Sequence, residues 1–186
     1  HFEASFVDKE KKRIHYLVYG YLPRYPAYQK YQLQRQGYEV SEKFYACLPQ
    51  LISEEEELMD MSEYQTAIQN LVQAFGLRGL QEQNEWLYLK KQMEYIERQV
   101  KNQTIKDFLM DRITTRYVER RGTDHLEEII RFYHDNVEAP EKRQKFDDLC
   151  QKWVKLVKGQ PSPVFACQDI EGKEVRLTDL AGKYVY

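Results

Sequence analysis

The sequence predicts a mainly α-helical protein, a multi-helix bundle of antiparallel helical hairpins over residues 1–158, followed by a short β-hairpin. Three observations predict this fold. Apolar residues recur at intervals of three and four along most of the chain. Glycine and proline number only 8 and 6 in 186 residues, which favours long helices joined by short links. After Gly159 the pattern changes to prolines and short extended segments.

The first third of the chain predicts short helices with breaks between them. The helices are expected at residues 8–21, 27–37 and 41–48. The stretch YLPRYPAY at 21–28 contains two prolines and predicts a loop between the first two helices. Gly37 and Pro49 are expected to end the second and third helices.

Two hydroxyl-and-carboxylate patterns predict helix starts farther along the chain. Ser53 with Glu56 fits the capping box, and the pattern Ser62-Glu63-Tyr64-Gln65 repeats it, opening a helix that runs through about Phe75. The acidic run Glu54–Glu57 is then interpreted as solvated carboxylates in a first helical turn, where they oppose the positive end of the helix dipole. A cation site at this run is the less favoured alternative.

The clearest predicted helices fill the remainder of the helical region. They are expected at about 83–101, 103–120, from 124 onwards, and from 140 to 159. Trp86, Leu89, Met93, Ile96 and Val100 should form the buried face of the first. The helix starts are expected at Asn102, at Asp124 as N-cap, and at Pro140 as first helical residue. Asn102-Gln103-Thr104 also matches a glycosylation sequon, but the cap is favoured.

The charge balance excludes two classes of partner. Lys and Arg total 28 against 30 Asp and Glu, which gives a net charge of −2. The balance shows neither the basic stripe expected of a protein that binds nucleic acid nor a polybasic patch for a membrane surface, so neither partner is expected. No stretch approaches the roughly 20 apolar residues of a membrane span. No signal peptide is visible. The chain opens on His1, which is consistent with processing or trimming that removed one.

No residue of the chain is assigned a catalytic, cofactor-binding or metal-binding role, and no cofactor is expected. Cys47, Cys150 and Cys167 are far apart and form neither a Cys-x-x-Cys nor a cluster with zinc spacing. They are interpreted as isolated small apolar residues. Cys47 and Cys150 are expected to remain free thiols.

The other polar candidates are interpreted as structural. His125 and His134 lie on opposite sides of one predicted helix and cannot share a metal, and His125 is expected to be exposed near a cap. His15 lies in an apolar stretch and is expected in the core. Asp107 and Asp111 could form a carboxylate pair, but the cations beside them favour a solvated helix face.

From Gly159 onwards the sequence predicts the opening of a β-domain. Strands are expected at residues 164–168, 174–177 and 183–186. A turn joins the first two strands, and Gly172 supplies the positive φ that the turn requires. A short helical turn is expected at residues 178–180.

The order of residues in this tail resembles the start of TlpA/ResA-like thiol-disulfide oxidoreductases and their AhpC/TSA-type peroxiredoxin relatives in the thioredoxin superfamily. Such domains open with Gly-x-x-Ala-Pro-x-Phe, then a turn Asp-x-x-Gly-Lys, then Leu-x-Asp-Leu-x-Gly-Lys before the first central strand. The matching residues here are Gly159, Pro163, Phe165, Asp169, Gly172, Lys173, Leu177, Asp179, Leu180, Gly182 and Lys183. Ser162 replaces the usual Ala, and Cys167 matches no catalytic position of the family.

The resemblance implies a thioredoxin-like domain that begins at residue 159 and is truncated before its active-site cysteines. The family's Cys-x-x-Cys follows the strand that begins at Lys183, so no catalytic residue is carried over to this chain. The resemblance further implies a parent protein of the periplasm or cell envelope whose partner is a protein dithiol or disulfide. Residues 1–158 would then form a helical domain that orients partners or mediates assembly.

Two other functions are open. The helical domain could be a non-enzymatic interaction module that offers a tyrosine-rich groove to a peptide or glycan. The parent could instead be peroxiredoxin-like, with a single peroxidatic cysteine. The 15 tyrosines are spread along the chain, which favours amphipathic positions on helix surfaces over one aromatic platform. Residues 1–186 alone are expected to show no thiol-reductase turnover.

Overall fold

The computed structural model describes residues 3–35, 37–80, 84–161, 164–180 and 182. In these ranges the chain is mainly helical, with a two-stranded antiparallel sheet near the C-terminus, which confirms the predicted fold class. Seven helices of ten residues or more lie in the described ranges. They are α1 (Ala4–Tyr19), α2 (Glu42–Leu51), α3 (Ser62–Leu77), α4 (Glu85–Gln99), α5 (Gln103–Arg121), α6 (Leu126–Asn136) and α7 (Pro140–Val154).

Two helices organise the packing of the others. Helix α3 contacts α1, α2 and α4, and α5 contacts α4, α6 and α7. The core runs through all seven helices, and its largest fully buried side chains include Tyr64, Tyr133 and Phe146. Across the described residues, no helix is both long enough and apolar enough to cross a membrane.

Helix α4 shows how residue spacing produces the packing. Leu89, Met93, Ile96 and Val100 are buried as predicted, and Trp86 packs half-buried against the same core. Fully burying a side chain of this size contributes about 1.5–3 kcal/mol. The amphipathic stripe therefore fixes which side of α4 faces α3 and α5.

Several predicted helix starts are confirmed. The Oδ1 atom of Asn102 accepts a hydrogen bond from the N–H of Ile105 at 3.0 Å and caps α5. Pro140 is the first residue of α7, where its missing N–H costs nothing. Helix α3 begins at Ser62 and runs to Leu77, two residues beyond the expected end, but its N-cap is Met61, so the capping box predicted at Ser62 is wrong. The Ser62 hydroxyl instead donates to the Glu63 carboxylate at 3.0 Å.

The predicted loop at 21–28 is wrong, and the helix predicted at 27–37 is confirmed over residues 27–32 but ends at Gln32 rather than near Gly37. Residues 22–32 form continuous helical turns, and together with Tyr21, which precedes the first turn, we call them the tyrosine segment. It comprises a 3₁₀ turn at Leu22–Arg24, an α turn at Tyr25–Ala27 and a π turn at Tyr28–Gln32. The two prolines, Pro23 and Pro26, stand in the opening positions of the first two turns, where no backbone hydrogen bond is lost.

Other predicted boundaries also need correction. Helix α1 begins at Ala4 rather than at residue 8, and α7 ends at Val154, before Gly159. Pro49 lies inside α2 and does not end it. The helix continues past Pro49 because Leu48 and Ile52 are buried on both sides of it, and the N–H of Ile52 still donates to the carbonyl of Leu48 at 3.0 Å.

Two predicted caps are wrong because their side chains bind elsewhere. No α-helix begins at Ser53, whose hydroxyl donates to the Glu55 carboxylate at 3.1 Å. Asp124 is not the N-cap of α6, because its carboxylate accepts a hydrogen bond from the Tyr117 hydroxyl at 3.0 Å. His125 takes the N-cap position with a left-handed backbone, at φ 53°.

Asp107 does not lie on a solvated helix face, contrary to the prediction. Its side chain is 5% exposed, and its carboxylate accepts hydrogen bonds from the backbone N–H of Glu138 at 3.0 Å and of Ala139 at 2.7 Å. A carboxylate of α5 therefore caps the N-terminus of α7. Asp111 acts separately, since it accepts hydrogen bonds from the Tyr133 hydroxyl at 2.9 Å and from Lys142 at 3.4 Å.

The β-hairpin forms as predicted from the tail. Strands β1 (Ala166–Gln168) and β2 (Glu174–Arg176) pair antiparallel with Cys167 opposite Val175. Gly172 in the turn has a φ of 80°, as its role requires. A 3₁₀ turn at Leu177–Leu180 follows. The strand expected at 183–186 lies outside the described residues.

We expect Asp107→Ala to lower the free energy of unfolding by about 2–3 kcal/mol, because it leaves two N–H groups at a helix start without their acceptor. Urea denaturation monitored by circular dichroism measures the change. Asp148→Ala is the matched control, since Asp148 lies exposed on α7 and, among the described residues, pairs only with Gln144. Equal stability of the two variants would contradict the capping role.

Candidate functional site

The tyrosine segment borders an open groove of about 780 Å³. The side chains that line it recur at helical spacing, which places them on one side of the segment. They are Tyr21, Leu22, Arg24, Tyr25, Ala27, Tyr28, Tyr31 and Gln32. The expectation that the tyrosines occupy only scattered positions on helix surfaces is therefore wrong for these four.

The opposite side of the tyrosine segment is fixed to the bundle. Pro23 and Gln29 are buried, and the first turn packs against α3. The carbonyl of Gly20, just before the segment, accepts a hydrogen bond from the buried Asn70 amide at 2.9 Å. A Cβ atom at Gly20 would lie 2.8 Å from that of Ala67, so the close approach to α3 requires glycine. The segment that lines the groove is thus packed against the bundle.

The groove lies in a part of the chain that has cations and no acids. Between Glu10 and Glu39 there are six Lys or Arg residues and no Asp or Glu, which the whole-chain net charge of −2 conceals. The six residues are Lys11, Lys12, Arg13, Arg24, Lys30 and Arg35.

Five of these six cations already have partners. Lys11, Lys12 and Arg13 form ion pairs with acids elsewhere in the chain. Lys30 donates to the carbonyl of Leu80 at 3.4 Å, and the guanidinium of Arg35 donates to Gln29 at 3.0 Å. Arg24 lines the groove, and among the described residues it has neither an ion pair nor a side-chain hydrogen bond.

An apolar stripe on α1 leads to the groove. Ile14, Leu17, Val18 and Tyr21 follow one another at i, i+3, i+4 and i+7, and each is about half exposed, from 49% to 61%. A helix normally turns such a stripe toward the core. Here it extends the exposed apolar surface beyond the tyrosine segment.

The acidic run at residues 54–57 holds the start of a distant helix. The Glu54 carboxylate accepts hydrogen bonds from the backbone N–H of Lys101 at 3.0 Å and of Asn102 at 2.6 Å. The Glu56 carboxylate accepts from the side chains of Asn102 and Thr104, each at 2.8 Å. The prediction that these carboxylates lie at the positive end of a helix is right, but the helix is α5 and not one that begins at residue 53.

Glu55 of the same run ties α1 to the bundle. Its carboxylate accepts hydrogen bonds from Lys12 and from the Tyr16 hydroxyl, as well as from Ser53. Burial by itself would raise the pKa of Glu55, but these three hydrogen bonds outweigh it and hold the pKa below its usual 4.5. Burial raises the pKa of the adjoining Tyr64 to about 12.

The three cysteines are free and form no reactive pair. Cys150 is buried as expected, and burial raises the pKa of its thiol to about 11. Cys47 is half-buried, and its thiol donates to the carbonyl of Phe44 at 3.0 Å. Cys167 is exposed on β1, which corrects its interpretation as a buried residue. A protonated thiol is a poor nucleophile, so Cys150 is not a candidate for thiol exchange.

The histidines occupy separate structural positions. His125 is exposed as expected and stacks on Trp86, with ring centroids 4.0 Å apart. His134 lies 2.7 Å from the Asp147 carboxylate. His15 is half-buried against the carbonyl of Leu51 rather than in the core, so its prediction is wrong. In the described part of the chain, no group of three or more His, Cys, Asp or Glu could hold a metal ion.

A smaller cavity of about 250 Å³ lies between α2, α3, α4 and α5. Its walls are mainly buried aliphatic side chains such as Ile52, Ile68 and Leu109. Glu54 is the acid that lines it, and that carboxylate is already occupied by the backbone of α5. The cavity therefore brings no free catalytic group together, and the tyrosine groove is the stronger candidate for binding.

We expect the stability of this protein to fall as the pH drops from 4.5 towards 3. A carboxyl group whose pKa is lower in the folded state stabilises the fold above its unfolded pKa, and it loses that contribution as the pH falls through the folded pKa. Glu55→Gln should cost about 1–2 kcal/mol at pH 7 and should make the acid-induced loss shallower. Urea midpoints at pH 7 and pH 3 measure this, with Glu57→Gln in the same exposed run as control.

We expect iodoacetamide to alkylate Cys167 first, because Cys167 is exposed, and to reach Cys150 only in the unfolded chain. Mass spectrometry of peptides from native and urea-treated protein measures the order. Rapid labelling of Cys150 in the native protein would contradict its burial. A disulfide between Cys47 and Cys150 would contradict their free state.

Comparison of the chain with protein-family models, with curated proteins and with solved structures found no match in any of the three. No family membership is shown, and the resemblance of residues 159–186 to thioredoxin-like proteins stays a prediction.

Proposed function

We propose that this chain is the helical N-terminal portion of a thioredoxin-like thiol-disulfide oxidoreductase of the periplasm or cell envelope. In this proposal residues 159–186 open the thioredoxin-like domain, and the helices orient a protein partner or mediate assembly. The observation that carries the proposal is the order of elements after residue 164: strand, tight turn, strand and 3₁₀ turn. This is the order that the resemblance implies.

Two of the residues that match the family pattern, Asp169 and Asp179, also have local structural roles, which supports the proposal. The Asp169 carboxylate accepts hydrogen bonds from the backbone N–H of Glu171 and of Lys173, each at 2.9 Å, and thereby closes the turn. Asp179 accepts from the N–H of Arg176 at 3.0 Å and joins the 3₁₀ turn to β2. Asp169 and Asp179 therefore stabilise the two turns that the family pattern implies at these positions.

The chemistry of such a parent needs a pair of thiols that Cys47, Cys150 and Cys167 do not supply. One thiol must have a lowered pKa, typically at a helix N-terminus, and a second must resolve the mixed disulfide. The pair is then reduced to two thiols as a partner's dithiol is oxidised to a disulfide, or the reverse. In this proposal the pair lies beyond Tyr186 and the helices serve the partner, a protein dithiol or disulfide.

The decisive experiment is to sequence the gene and read the codons that follow Tyr186. We expect a Cys-x-x-Cys within roughly 15 residues, the length of one strand and a loop. A single cysteine there would favour the peroxiredoxin-like alternative, and the absence of both would overturn the proposal. Residues 1–186 alone should give no turnover in an insulin-reduction assay, and robust turnover would contradict the assignment of the thiol pair.

A second candidate function is a helical interaction module that binds a peptide or glycan. The observation that favours it is the tyrosine groove of about 780 Å³. The groove lies on a segment that packs against α3, next to an exposed apolar stripe of α1. Exposed aromatic rings with hydroxyl groups offer apolar contact area and hydrogen bonds together. This function does not exclude the first, because a partner-orienting domain must itself bind a partner.

A further inference from the structure

We propose that the tyrosine groove binds an extended peptide segment in which one acidic side chain is flanked by apolar residues. The inference deepens the second candidate function and rests on it, but it does not depend on the resemblance to thioredoxin-like proteins. It follows from the chemistry of the groove walls and from one cation that has no partner within the described chain.

The groove walls favour apolar ligand groups. Tyr21, Tyr25, Tyr28 and Tyr31 expose between 41% and 53% of their surface. The ring of Tyr25 also packs on Tyr38 and Phe44, and Lys30 lies over the ring of Tyr31, so Tyr21 and Tyr28 offer the most open ring surface to a ligand. Tyrosine gives large contact areas at a low cost in conformational entropy, which suits recognition of a flexible partner. Apolar side chains of a peptide would pack on these rings and continue onto the α1 stripe at Leu17.

The charge of the groove favours one anionic group. Arg24 lines the groove, and no described acid neutralises it. A guanidinium binds a carboxylate through two parallel hydrogen bonds, which gives direction as well as attraction. No Asp or Glu lies between Glu10 and Glu39, so the nearby sequence offers no competing acid. A carboxylate of the ligand is therefore the complementary group.

The number of cations that line the groove decides against a polyanion. A nucleic acid or a sulfated glycan needs several cations that follow its backbone. Arg24 is the one cation among the described residues that line the groove, and Lys30 and Arg35, the two other cations of the segment and its flank, lie outside that lining. Their side chains are directed to the Leu80 carbonyl and to Gln29. One free guanidinium among aromatic rings fits a single carboxylate among apolar groups, as a peptide provides.

The backbone of the segment favours a side-chain carboxylate over a chain terminus. Terminal carboxylates are typically captured by free backbone N–H groups. Here the N–H groups are used inside the helical turns, for example from Arg24 to the Tyr21 carbonyl at 3.0 Å and from Leu33 to the Tyr28 carbonyl at 3.2 Å. The proposal therefore commits to an internal Asp or Glu of the partner.

The test is a peptide array probed with the full 186-residue chain. Immobilised peptides of about nine residues, long enough to span the groove, are made in matched triplets. Each triplet has the same apolar flanks and an Asp, Asn or Lys at its centre, with both ends blocked. The same array carries polyuronate and heparin spots. Wild-type protein is compared with Arg24→Gln, Tyr28→Ser and the control Arg131→Gln, all verified as folded by circular dichroism.

We expect Asp peptides to bind about tenfold more tightly than their Asn partners, the usual size of one charge-assisted contact. Arg24→Gln should bring this ratio to about one and leave binding of the Asn peptides unchanged. Tyr28→Ser should weaken all the peptides that bind. Arg131→Gln should change nothing, because Arg131 is an exposed arginine of α6 that also lacks an ion pair in the described chain.

The outcomes separate the inference from the function on which it rests. Equal binding of Asp and Asn peptides, or an unchanged ratio in Arg24→Gln, would overturn the acidic preference while the binding module stands. Binding of no peptide above the Tyr28→Ser level would overturn both. Tighter and Arg24-dependent binding of heparin or polyuronate would overturn the choice of a peptide and assign the groove to a glycan.

Discussion

This structure depends on the need of the N–H groups at helix starts for hydrogen-bond acceptors. The first N–H groups of a helix have no acceptor within that helix, and leaving them buried and unpaired is costly. Here carboxylates from other parts of the chain accept them: Asp107 for α7, and Glu54 for the residues that open α5. Each contact fixes where one helix begins and also which element lies beside it. Local capping and tertiary packing are thereby the same interaction.

This arrangement connects the fold to the candidate site. Glu55 stands between Glu54, which holds the start of α5, and the Lys12 and Tyr16 side chains of α1. The position of α1 in turn sets the position of the tyrosine segment, which follows α1 directly and packs on α3. The groove is thus built on a helix whose place is secured by the same acidic run that organises the middle of the bundle.

Much of the fold could be predicted because its signals are local. The apolar stripe of α4, the cap at Asn102 and the first position of Pro140 involve residues within one or two helical turns, and all are confirmed. The roles of Asp107 and Glu54 could not be predicted in this way. Their partners lie 31 or more positions away, and local spacing carries no information about them. Pro23 led to the wrong prediction of a loop, because sequence alone does not distinguish a proline that opens a helical turn from one that breaks a helix.

A tyrosine-rich groove was one of the open alternatives, but its place in the chain was not predicted although the signal was present. One helical face is indicated by the spacing of Tyr21, Tyr25, Tyr28 and Tyr31. The two prolines in the same stretch predict a loop over most of it, and that prediction hides the face. The absence of acids between Glu10 and Glu39 was hidden in the net charge of the whole chain. A charge count over short windows would have drawn attention to this segment. That Arg24 is left without a partner could be learned only from the structure.

The two-stranded sheet near the C-terminus has a consequence for behaviour in solution. Each strand has one pairing edge without a partner in the described chain, and Ile170 at the turn is fully exposed. Two-stranded sheets are marginally stable alone, and open edges are templates for pairing with another strand. The described hairpin thus has the geometry that permits edge-to-edge pairing with a strand that follows it or with a strand of another chain.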